Sequence, residues 1–148
     1  MRYYSFTNFY LSSIQIGIQS AHCIADTFIK YADESRQRAV LLDWAANHKT
    51  MICLNGGHAS GIREAYAQLE RFGEALQLPF CNFYEDEESL DSTMTCCGIV
   101  VPEYLYEAAQ TIREARGATI VELVAAGVML NADEYDFVTF LNQFGLAK

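Results

Sequence analysis

The sequence predicts an α/β fold, and two stretches carry most of that expectation. The chain opens on an aromatic, β-favouring run, Tyr3, Tyr4 and Phe6, and continues through the polar residues Asn8, Ser12 and Ser13. Ile14, Ile18, Ala21, Ala25 and Phe28 then recur at helical spacing, with Ser12 or Ser13 as N-cap. Strand, polar loop and apolar-faced helix make the first half of a βαβ unit. Such a unit places the loop at the carboxyl end of the strand, where open α/β sheets bind ligands. A second stretch has the same logic. Residues 50–54 form a short apolar run, then Asn55-Gly56-Gly57-His58-Ala59-Ser60-Gly61 opens a helix with Ile62, Ala65, Leu69 and Phe72 on one face.

The elements follow in order. The first helix is expected from about Ser13 to Tyr31. Asp33 or Ser35 caps a second helix through Arg36, Val40, Leu41 and Trp44 to about Asn47. The helix after the glycine turn ends near Ala75. Residues 80–84 (Phe-Cys-Asn-Phe-Tyr) read as a strand, residues 85–91 as an acidic loop, and residues 93–102 as the strongest strand after the first. Leu105, Ala108, Ala109 and Ile112 mark a helix that stops at Arg116-Gly117, with Gly117 suited to the C′ position. A strongly apolar helix is expected over 118–130, and Asn131-Ala132-Asp133 restarts a helix bearing Tyr135, Phe137, Val138, Phe140, Leu141 and Phe144. Two such helices in a hairpin cannot cover each other, so they are expected to pack on the sheet or on another subunit, with oligomerisation favoured.

Composition bounds the function. A chain of 148 residues, 51% hydrophobic, suits one domain with a proper core. No run of residues is long and apolar enough for a bilayer, and a cytoplasmic location without a membrane partner is expected. The net charge of −9, from 19 acidic and 10 basic residues, argues against long nucleic acid as partner, because phosphate binding leans on Lys and Arg. It leaves room for a small anion held by backbone amides and one arginine. Five cysteines without CxxC spacing read as buried thiols, so no metal and no cofactor is expected.

The Asn55-Gly56-Gly57 turn has two readings. It aims amides at an anion, or it is a strand-to-helix turn that needs positive φ. It is neither a P-loop nor Gly-x-Gly-x-x-Gly. The acids at 85–88 read as a solvated loop or as ligands for a divalent cation.

Asn8 to His22 also resembles the first loop and helix of peptidyl-tRNA hydrolases of the second, archaeal and eukaryotic, type. That family has an acidic residue, a Gly/Lys-rich loop and a helix carrying Gln-x-Ala-His; here the helix reads Gln19-Ser20-Ala21-His22. Leu76-Gln77-Leu78-Pro79 resembles its Gly-Leu-Pro link, and residues 93–102 its last core strand. The likeness covers about residues 1–115 and implies a four-stranded mixed sheet with helices on both faces. Residues 1–117 are then the α/β domain, and 118–148 a C-terminal helical hairpin beyond it. The resemblance implies a site among the loop from Asn8 to Gln15, a catalytic aspartate at Asp86 (or Glu85 in a shifted register) and a threonine for which Thr95 or Thr93 lies close, while the strict alignment places Cys96 there. The family's basic loop is replaced by Tyr10-Leu11-Ser12-Ser13-Ile14-Gln15, which has no cation. Ser12, Ser13 and Gln15 hydrogen-bond but cannot stabilise charge on an ester under attack as a lysine does.

The expected function is therefore non-hydrolytic binding of a small nucleotide-like molecule by a homo-oligomer. Asn8, Ser12, Ser13, Gln15, Asn55, Gly56 and Gly57 would supply hydrogen bonds, and Arg63 a charge-assisted contact. Tyr10, Tyr84 or Phe9 would stack on a base. In size and character the chain is similar to phage proteins that sequester nucleotide immune signals. The alternatives are a diverged hydrolase using Asp86 or Glu85, and a protein-interaction module built on the C-terminal hairpin.

Overall fold

A computed structural model describes residues 1–85 and 92–148; Asp86 and the rest of the acidic loop after Glu85 lie outside the described residues. The chain runs β1 (Arg2–Thr7), α1 (Ser13–Lys30), α2 (Arg36–Asp43) with a π-helical turn (Trp44–His48), β2 (Met51–Asn55), α3 (Ala59–Ala75), β3 (Phe80–Tyr84), β4 (Met94–Val101), α4 (Glu103–Glu114), α5 (Ile120–Ala125) and α6 (Ala132–Leu141). The four strands form one mixed sheet in the order β2-β1-β4-β3. β1 lies parallel to β2, with Tyr3 beside Met51 and Thr7 beside Asn55. β4 runs antiparallel to both of its neighbours.

Alternation along β1 divides the core. Tyr4 and Phe6 face the larger apolar layer, with Ile62, Leu69 and Phe72 of α3, Leu105 and Ala109 of α4, and Phe137, Val138, Phe140 and Leu141 of α6. Tyr3 faces the other way, against Leu41 and Trp44 of the α2 segment and Val100. Gly98 is fitted to that packing, since a Cβ there would lie 2.4 Å from the Tyr3 ring. Helices thus cover both faces of the sheet, as expected for this fold class.

Local chemistry explains the helix starts. Ser12 and Gln15 form a capping box on α1, the Ser12 hydroxyl accepting from the Gln15 N–H and the Gln15 side chain from the Ser12 N–H. Ser35, not Asp33, caps α2, and Asn131 with Glu134 repeats the capping box on α6.

Three expectations are corrected. Of the apolar positions that mark α1 only Phe28 packs inward, beside Tyr3 and Trp44; Ile14, Ile18, Ala21 and Ala25 are exposed, while Ile16, Gln19, Ser20, Cys23 and Thr27 are buried. The reason lies in the strands beneath. That side of the sheet presents Ser5, Thr95, Cys96 and the Tyr3 hydroxyl, and polar partners satisfy them. Ser5 Oγ and Ser20 Oγ lie 2.6 Å apart, Tyr3 Oη and Thr27 Oγ1 3.0 Å, and Thr95 Oγ1 donates to Gln19 Oε1 at 2.8 Å. A buried polar group needs such a partner more than an apolar helix face needs burial. The second correction is that the apolar helix expected over 118–130 shrinks to six residues, closed by a turn with Gly127 at φ +89°. The third concerns the chain after α6, expected as part of the C-terminal helical hairpin with Phe144 on its last helix, which instead ends at Leu141. The chain beyond adds to the outer edge of β2, with Asn55 N–H donating to Gly145 O at 2.9 Å and Ala147 N–H to Cys53 O at 3.0 Å. That contact covers an edge whose backbone groups would otherwise be open to pairing.

Among the described residues, no helix is long and apolar enough to cross a membrane.

Candidate functional site

β1, β2 and β3 all finish at one end of the sheet, where β4 begins. The fold therefore gathers there the loop after β1, the glycine turn after β2, Tyr84 and Thr95. The two loops are bonded to each other. Gly56 N–H donates to Thr7 O at 2.8 Å and Phe9 N–H to Gly57 O at 3.1 Å. Gly57 takes φ +80° while its own N–H donates to Asn55 Oδ1 at 2.9 Å. The amides of Gly56 and Gly57 are thus engaged within the fold. At the start of α3 His58 makes no side-chain cap, so the first-turn N–H groups of Ala59, Ser60 and Gly61 remain for other partners.

Asn8 is the centre of this end of the molecule. It is completely buried. Its Nδ2 donates to Tyr10 Oη at 2.9 Å and to Met94 O at 3.4 Å. A main-chain carbonyl only accepts, so the amide nitrogen must face Met94, and Oδ1 is left without a hydrogen-bond partner. Asn8 stands in the wall of a cavity of about 290 Å³, with Phe9, Ile16, Asn55, Leu146, Ala147 and Lys148. That volume is near the lower end for ligand pockets, roughly 300–1,000 Å³. Phe9 is half exposed and holds an edge-to-face contact with His58, ring centres 4.6 Å apart. Tyr10 and Tyr84 are also about half exposed.

The residues predicted from sequence divide accordingly. Asn8 and Asn55 line the cavity. Ser12 and Gln15 cap each other, and Ser13, the first residue of α1, is exposed. Arg63 is exposed on α3, outside the cavity lining. Thr95 is buried with its hydroxyl on Gln19. A bulge sets that contact: Phe83 pairs with Cys96 and Tyr84 with Met94, so Thr95 is the extra residue and turns toward α1. Asp86 lies outside the described residues. The contribution of Leu146 to Lys148 was not legible in sequence, since it depends on a β2-edge contact made from 90 residues further along the chain.

A larger groove, about 600 Å³, runs between α3 and α6 over Ala65, Phe72 and Phe140. Of its charged groups, Arg71 pairs with Asp136 at 3.6 Å, and Glu64 leaves the lining with a net negative charge. Its polar side chains come from the outer sides of α3 and α6 and from Gln143 just after α6, so the smaller cavity, lined by the fully buried Asn8, is the better candidate. Among the described residues, no group of three or more His, Cys, Asp or Glu could hold a metal ion. No family model matches the chain, and no curated protein matches it in sequence.

Proposed function

We propose that the chain is a non-hydrolytic binding protein that holds a small nucleotide-like molecule where β1 and β2 end. One observation carries the reading: Asn8, one of the residues lining the cavity, keeps a buried amide oxygen without a hydrogen-bond partner. Burying an acceptor without a donor costs about 1–3 kcal/mol. A ligand N–H supplies the missing donor, and nucleobases carry such groups on their edges beside a flat face. The Phe9 ring offers a partner for that face. Lys148 adds one cation to the lining, and the uncapped start of α3 lies one turn beyond Asn55. The lining side chains are amides, alkyl groups, one ring and one lysine. Among the described residues, none of these side chains is a carboxylate, imidazole or thiol suited to taking a proton from water at neutral pH. Sequestration of a nucleotide signal is the role such binding would serve.

Calorimetry with AMP, cyclic AMP and ADP-ribose tests the reading on the wild type and on Asn8→Ala. At least one nucleotide should bind more tightly than about 1 mM, a free energy of about −4 kcal/mol. Asn8→Ala should weaken it about tenfold, or 1.4 kcal/mol, while a thermal melt shows the variant folded. Absence of binding by all three overturns the proposal, as does equal affinity in Asn8→Ala.

A further inference from the structure

We propose that two copies of the chain pair through the outer face of α1, as an antiparallel helix pair about a two-fold axis at Ala21. α1 is amphipathic in the reverse of the usual sense. It turns Gln19, Ser20, Cys23 and Thr27 to the sheet and shows water the isoleucines Ile14 (77% exposed), Ile18 (47%) and Ile29 (73%). Between these lie Gly17, Ala21 and Ala25, all exposed, so the stripe runs the length of the helix opposite its buried side. A surface helix with that pattern has its apolar face waiting for a partner.

Three features choose a second copy as that partner. The first is charge. From Tyr3 to Ala25 the chain has no Asp, Glu, Lys or Arg, although its net charge is −9. Two copies repel over most of their surface, and this face is where they approach without like charges meeting. The second is symmetry. Antiparallel pairing about Ala21 sets Gly17 against Ala25 of the other copy and Ala21 against Ala21, with Ile14 beside the Phe28–Ile29 end. Small residues meet at the centre, where the helix axes approach closest, with Ile18 beside them and Ile14 and Ile29 closing the two ends. The third is area. Taking about 150 Å² for a large exposed apolar side chain, the three isoleucines and the small residues between them offer roughly 400 Å² of apolar surface. A standard interface of about 800 Å² per partner, a little over half of it apolar, contains about that much.

Light scattering on the full chain tests the pairing. The wild type should have twice the 16.7 kDa chain mass at micromolar concentration. Ile18→Lys/Ala21→Glu should fall to the single mass with its far-ultraviolet circular dichroism unchanged, since neither side chain touches the core. Ile120→Lys/Val121→Lys, on the exposed face of α5, should remain double. Geometry is tested by Ala21→Cys under air oxidation. The two-fold axis brings both new thiols within the roughly 4.4–6.8 Å Cα separation of a disulfide, so a covalent dimer should form. A wild-type monomer overturns the proposal. So does loss of the dimer in the α5 variant alone, or an Ala21→Cys chain that stays reduced.

Discussion

Phe137→Ala probes whether the C-terminal segment belongs to the core of the sheet domain. Phe137 is fully buried, its ring centre 5.2 Å from that of Phe72 on α3, in the layer that includes Phe6 and Leu105. Truncating such a ring costs about 3–5 kcal/mol through lost burial and the cavity left behind. Against a total of about 5–15 kcal/mol, that is a fifth or more of the stability. For a domain of this length a loss of about 4 kcal/mol lowers the melting midpoint by roughly 8–16 °C. Urea unfolding followed by fluorescence is well suited to the question. The single tryptophan, Trp44, lies on the opposite face of the sheet, against Tyr3 and Val100. If α6 is part of one cooperative core, Trp44 must report the loss although it touches nothing near Phe137. A change below about 1 kcal/mol, or a Trp44 transition that does not move, refutes the packing argument.

Other consequences are open to test. Ser12→Ala removes the cap of α1 and should cost about 1 kcal/mol in urea unfolding; an unchanged midpoint would show that the capping box adds nothing. Burial raises the Cys81 thiol from its usual 9.0 to about 11, and raises Tyr4 and Tyr66 from 10.0 to about 12. Each group favours its protonated form in the folded state, so its stabilising contribution is complete below the unfolded value and lost as pH rises through the folded one. Stability should therefore hold to about pH 9 and fall between 9 and 12. A urea midpoint constant from pH 8 to 11 contradicts this. Among the five thiols only Cys53 is partly exposed, so a thiol reagent should label one cysteine quickly and the other four only on unfolding. Assayed on aminoacyl-tRNA model substrates, the chain should release no acyl group at rates near those of a peptidyl-tRNA hydrolase, because the loop from Tyr10 to Gln15 carries no cation. Release at such rates would contradict binding without turnover.

Much of the fold was legible because strands and caps are local signals. The aromatic run at Tyr3 to Phe6, the serine before α1 and the glycines after Asn55 each act within a few residues of themselves. The orientation of α1 was not, and the cause is instructive. Periodicity finds the apolar stripe of a helix but does not say whether a sheet or a second molecule covers it, and here Ser5 and Thr95 claim the polar side. The candidate site was half legible. Asn8 follows β1 and Asn55 ends β2, so both could be placed at the carboxyl edge. The capping use of Ser12 and Gln15 competes with ligand binding in a way that sequence alone leaves open. Leu146 to Lys148 reach the cavity through tertiary pairing with β2, and no local pattern announces that. The bulge at Thr95 likewise depends on register with β3.

The Asn8 side-chain amide is the group to watch. In a ¹⁵N-correlated spectrum of the full chain titrated with the nucleotide that binds best in calorimetry, its resonances should move together with the backbone amides of Phe9 and Asn55. They should do so at the same saturation point as the heat signal. If that nucleotide instead moves residues of the α3–α6 groove, such as Gln68 and Thr139, and leaves Asn8 still, the ligand is held elsewhere and the binding site argued from the buried amide is wrong.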